Sequence, residues 1–152
     1  MRKSSLLALL FLALSMAGCG NNSSGSGNIN GSWAASLTNT DGSTAYAFTT
    51  TFTQGSAGAL TVTNFTFTST GPCFATYSTS ETGSFGLSGN SNGNVKGTFG
   101  MTVTTLFPAP TNNLLTLQGT VNGGTISGTW TLTGGTGCTG NGSFTMRGPG
   151  TP

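Results

Sequence analysis

The sequence predicts an all-β domain: an antiparallel up-and-down meander of about eight or nine strands, closed into a barrel, with a two-sheet β-sandwich as the alternative. Three observations predict it. From Ile29 onward, apolar residues recur at period two and almost nowhere at a helical period. Breaks rich in Gly and Asn separate these runs, and the alternate positions are filled by Thr and Ser, which favour strands and keep a hydroxyl in water. Charged residues make up only 4% of the chain, so few gatekeepers protect an open sheet edge, and closure removes that hazard.

Taken in order, Trp33, Ala35 and Leu37 alternate with small or polar residues, and Asp41-Gly42 turns the chain into Tyr46, Phe48, Thr50 and Phe52. That is a first hairpin. Leu60 and Val62 are followed by Phe65 and Phe67, so the apolar phase slips by one and a bulge near Asn64 restores one inward face. A short strand is expected from Cys73 to Tyr77, then one carrying Phe85 and Leu87 before a turn at Asn92-Gly93. Val95, Phe99, Met101 and Val103 alternate next, and Pro108 and Pro110 must lie outside a central strand. Leu115, Leu117 and Val121 lead to a turn at Asn122-Gly123-Gly124, then Ile126, Trp130 and Leu132, and finally Phe144 and Met146. The runs Thr49, Thr51, Thr53 and Thr129, Thr131, Thr133 are read as solvated strand faces.

Ahead of this domain, Arg2 and Lys3 precede an unbroken apolar run from Leu6 to Leu14, too short for the roughly 20 residues of a membrane-spanning helix. This is the outline of a signal peptide, residues 1–18. Its end, Met16-Ala17-Gly18-Cys19, resembles the lipobox of bacterial lipoproteins, with Met16 where leucine is usual. The resemblance implies cleavage before Cys19 and acylation of Cys19, and two or more acyl chains make a stable membrane anchor. Residues 19–28 are small, polar and uncharged, a flexible tether. The expected organisation is therefore signal 1–18, tether 19–28, one all-β domain 29–148 and a tail 149–152. The implied address is the cell envelope, with the outer membrane favoured over the inner because Gly20 follows the cysteine.

After Cys19 the charged side chains are Asp41, Glu81, Lys96 and Arg147, which cancel. A neutral domain carries no electrostatic footprint for nucleic acid. With Cys19 acylated, Cys73 and Cys138 remain as the natural disulfide pair in an exported protein, two separate thiols being the alternative. No histidine is present, which disfavours a metal site and most acid–base catalysis. Asp41 beside a glycine and Glu81 between polar residues read as solvated surface groups, so no catalytic residue, metal or cofactor is expected. The G-x-G-x-x-G of Gly135, Gly137 and Gly140 leads into a turn and strand, where a dinucleotide site needs a helix.

Gly31-Ser32-Trp33 in the first strand and Arg147 near the end of the last resemble the calycin barrels, which include lipocalins and avidins. The resemblance implies Arg147 packed as a structural lid over the Trp33 ring. Two functional readings stay open. A hollow barrel would bind a small apolar ligand among Trp33, Tyr46, Phe48, Phe52, Phe99 and Trp130. A filled one would be a structural or surface-interaction lipoprotein that meets a protein or polysaccharide, since eight strands leave just enough room for side chains to fill.

Overall fold

A computed structural model describes residues 27–91, 94–107 and 112–148. The expected signal segment, Cys19, most of the tether, the Asn92-Gly93 turn, Pro108, Pro110 and the tail 149–152 lie outside the described residues. The strands are β1 (Gly31–Asn39), β2 (Thr44–Gln54), β3 (Ala59–Ser69), β4 (Ser78–Ser91), β5 (Asn94–Phe107), β6 (Leu114–Asn122), β7 (Thr125–Thr133) and β8 (Gly140–Arg147). Each pairs with its sequence neighbour, and β8 returns to β1, so the sheet is a closed antiparallel up-and-down barrel. The barrel is confirmed and the sandwich excluded.

The expected strand at Cys73–Tyr77 does not form. Two tight turns replace it, in which Phe74 N–H donates to the Gly71 carbonyl and Tyr77 N–H to that of Phe74. Pro72 breaks any ladder there, and the segment is used instead as a cap at the end of the barrel where β3 ends and β4 begins. Cys73 is joined to Cys138 in the β7–β8 loop, as the cysteine count predicts. Buried Asn113 gathers the same loops: its side-chain N–H donates to the Cys73 carbonyl at 2.7 Å, and its carbonyl oxygen accepts from Gly135 N–H at 3.2 Å.

The bulge falls where the slipped apolar phase places it. Thr49 pairs with Thr66 and Thr51 with Thr63, so Thr50 faces the two residues Asn64 and Phe65. Asn64 has φ 52°, a left-handed conformation that asparagine tolerates. The buried Thr50 hydroxyl donates to the Thr63 carbonyl, which satisfies a group the bulge displaces from the ladder.

Inside, large rings lie over glycines. Register places Phe99, Gly119, Gly128 and Phe144 in one row across β5 to β8, and the two phenylalanine rings approach to 6.2 Å above the glycine pair. Trp130 faces Gly142 in the same way, and the Trp33 ring lies against Gly148. The two indoles serve opposite ends of the barrel, the Trp33 N–H donating to Ile29 O at 2.9 Å and the Trp130 N–H to Thr38 O at 3.0 Å.

A methyl group at Gly128 would collide with the Gln118 carbonyl, whereas one at Gly89 meets nothing within 4 Å. Gly128→Ala is expected to destabilise the barrel by about 1–3 kcal/mol, while Gly89→Ala stays within about 0.5 kcal/mol of wild type. Urea unfolding followed by circular dichroism reads both. The disulfide spans 65 residues, and replacing both cysteines by serine should cost about 4 kcal/mol in the chain-entropy model, read in the same assay.

Candidate functional site

The six residues that the sequence offers as a cavity lining all point inward, and each packs against another aromatic ring. Trp33 and Phe52 have ring centroids 6.4 Å apart, Phe52 and Phe99 5.6 Å, and Tyr46 and Trp130 5.8 Å. Phe48 packs on Phe65 at 4.9 Å. None of the six leaves more than 7% of its surface open to water, and Phe52 leaves none. A void able to hold even water would expose part of its lining, so these side chains fill the barrel instead of surrounding a chamber.

Arg147 starts on the exposed face of β8, opposite Ala34, whereas Trp33 is on the buried face of β1. The Trp33 ring itself lies against Gly148, where a methyl group would stand 2.8 Å from the indole. Asp41 sits in the β1–β2 turn, as expected of a solvated group. There the Ser43 hydroxyl and N–H donate to it at 2.6 and 2.9 Å and hold its carboxyl below the usual range.

Glu81 is different, and the surface position assigned from sequence is corrected by the structure. Along β4 the inward phase runs back from buried Phe85 through Gly83 to Glu81. Register puts Glu81 beside Val103, whose own cross-strand neighbours are Leu115 and then Leu132, all three buried. The carboxylate therefore ends an apolar row, and its Oε1 is buried with no hydrogen-bond partner. Leaving that one oxygen without a partner costs about the 1–3 kcal/mol typical of an unmade hydrogen bond.

The place where this happens is the weakest seam of the wall. Only two residue pairs, Ala59 with Ser84 and Leu60 with Gly83, join β3 to β4, although the strands have 11 and 14 residues. Beyond Leu60 the two strands run on unpaired with each other. Their inward side chains Val62, Phe65, Phe67, Thr79 and Glu81 are only partly buried, whereas inward Met101, Val103, Leu115 and Leu117 of the next strands are buried completely or nearly so. Val62 and Phe67 still pack against the core, with Phe67 on Phe74 at 5.0 Å. Val62 reaches to 3.3 Å from where a Gly83 methyl would stand, one inward step from Glu81. An apolar strip, a hydroxyl and a carboxylate thus lie on the inward faces of two strands whose ladder has stopped. Sequence reasoning missed Glu81 because Ser80 and Thr82 flank it and give no phase; the Phe65-x-Phe67 pair after the slipped phase is the signal that remains.

Two further clefts lie on the outer surface and are lined by hydroxyl and amide groups. One of about 280 Å³ runs over Thr82, Ser84, Gly100, Thr102, Thr116 and Gln118. The other, about 690 Å³, lies between the end of β1 and the start of β8, with Thr38, Asn39, Asn141 and Ser143. They belong to rows of polar side chains that cross the strands, such as Thr82, Thr102, Thr116, Thr131 and Asn141. Among the described residues no group of three or more His, Cys, Asp or Glu could hold a metal.

If Glu81 holds the seam apart, Glu81→Val completes the row with Val103, Leu115 and Leu132. The variant is expected to raise stability by about 1 kcal/mol or more and to increase amide-exchange protection along residues 61–69. Urea unfolding and hydrogen exchange check this; an unchanged midpoint with unchanged protection would return Glu81 to an ordinary solvated position. No protein-family model, curated protein or solved structure matches this chain, so its function is argued from the seam, the outer face and the amino-terminal segment themselves.

Proposed function

We propose that this chain is a lipid-anchored barrel of the bacterial cell envelope that works by contact and not by catalysis. Acyl chains on Cys19 hold it to a membrane, and residues 19–28 let the barrel stand clear of the headgroups. The observation that carries the reading is the Cys73–Cys138 disulfide, which pairs two of the three cysteines and leaves Cys19 over, within a lipobox-like Met16-Ala17-Gly18-Cys19. Disulfides persist in exported proteins, and a third cysteine beside small residues and an apolar run has a ready use as the acylated one.

The contact reading rests on chemistry. Asp41 lies in a turn and Glu81 inside the wall, on different elements, and neither has the histidine, lysine or second carboxylate that acid–base work calls on. Of the two modes left open by the sequence, a ligand in the barrel centre and a partner at the surface, the packed interior favours the surface. What the barrel presents there is neutral and rich in threonine and serine, suited to hydrogen bonding with a protein or a polysaccharide.

The test is metabolic labelling of the full chain in a bacterial host with an alkyne-bearing palmitate. Wild type is expected to take up the label and to sediment with membranes, and Cys19→Ser to lose the label. A mature protein that begins at another residue and carries no lipid mass overturns the anchoring.

A further inference from the structure

We propose that the β3–β4 seam is a binding site for a cationic amphiphile, a molecule with one ammonium or guanidinium group on an apolar body. Three independent features meet there. The ladder that should close the wall stops after Leu60–Gly83, so the inward faces of both strands open to solvent in this region. The surface so uncovered is apolar and aromatic: Val62, Phe65 and Phe67 are partly exposed yet remain packed on the core, which makes them a fixed floor. Glu81 lies on the facing strand, one inward step beyond the Gly83 that Val62 approaches, with Oε1 buried and unpartnered.

Charge and shape select the ligand class. An N–H carried by a cation would donate to the partly exposed Glu81 carboxylate and neutralise it, forming a charge-assisted hydrogen bond, about twice as strong as a neutral one. The apolar body would cover the Phe65 and Phe67 rings, and aromatic faces themselves attract a cation that lies over them. A fatty acid or other anion meets the opposite result, since two like charges would stand side by side in the seam. A neutral alcohol of the same shape gains the apolar contact and loses the ion pair. The four charges after Cys19 sum to zero, so the attraction is local to the seam and not a property of the whole surface.

The site is tested with a matched pair of small probes, 2-phenylethylammonium and 2-phenylethanol, and with 3-phenylpropionate as the anion, each titrated into the purified full chain. Chemical-shift mapping and calorimetry give place and affinity. The ammonium is expected to bind at least tenfold more tightly than the alcohol, with shifts centred on Val62, Phe65, Phe67 and Glu81, and the anion not to bind. Glu81→Gln should remove the preference while the alcohol's affinity stays the same, and Phe65→Ala should weaken both neutral and cationic probes. Circular dichroism shows whether each variant keeps the barrel. Should Glu81→Gln fail to fold, Glu81→Asp supplies the comparison, expected to retain the charge preference at reduced affinity.

Equal affinities for ammonium and alcohol, a preference that survives Glu81→Gln, or shifts elsewhere on the barrel overturn the proposal. So does protection of the β3 backbone amides by an extended lysine-containing peptide with no response to the ammonium, which would assign the open edges to strand addition. The titration reads the seam alone, so its failure leaves acylation of Cys19 untouched, and loss of the acyl label leaves the seam untouched.

Discussion

Volume inside an eight-stranded barrel is the constraint from which the rest follows. Such a barrel has just enough interior for side chains to fill, so each large ring needs an opposing position with almost none. This chain meets the need with glycine: Phe99 and Phe144 meet above Gly119 and Gly128, Trp130 lies against Gly142, and Phe85 stands over Gly97. The 26 glycines are therefore not simply a mark of turns. Several are the empty halves of ring-on-glycine pairs, and they turn a sequence with few aliphatic residues into a packed core.

Filling the interior decides the rest of the functional argument. With the centre occupied, anything the barrel recognises has to meet the wall, and the wall is most thinly paired at one seam. Elsewhere neighbouring strands pair over most of their length, and the outer positions carry hydroxyls that hydrogen-bond across the ladders, as between Thr82 and Thr102. At β3–β4 pairing stops, and the two strands there carry two features that blunt sheet edges: a bulge at Asn64 and an inward charge at Glu81. The barrel is closed in topology, with its weakest joint where both features sit.

Much of this architecture could be read from residues alone. Period-two alternation located eight strands, the Asp41-Gly42 turn and the slipped phase at Asn64, because a strand's side-chain period is fixed by backbone geometry and survives any tertiary context. The disulfide followed from counting thiols. The failures have a common cause, which is that cross-strand partners cannot be read from one strand. The Cys73–Tyr77 segment has strand-forming residues, yet Pro72 and the bond to Cys138 make it a cap. Glu81 lies among serine and threonine, where alternation has no visible phase, and its direction is fixed only by Phe85 two inward steps away. The six aromatics were correctly placed inside, but whether they enclosed a chamber depended on which glycines faced them.

Glu81 also shows how magnitudes separate two readings of one residue. If its task were only to keep a bare edge from pairing with other chains, an outward charge at Ser80 or Thr82 would serve, at almost no cost in water. The chain after Cys19 has just four charged side chains, and one of them is aimed inward beside Val103 with a carboxylate oxygen lacking any partner. Leaving that oxygen without a partner costs about as much as an ordinary missing hydrogen bond. Edge protection accounts for an inward charge on this strand, but nothing in it offsets the oxygen left without a partner. A donor that arrives from outside accounts for both, because a carboxylate beside an apolar floor becomes the strongest point of attachment once a cation reaches it.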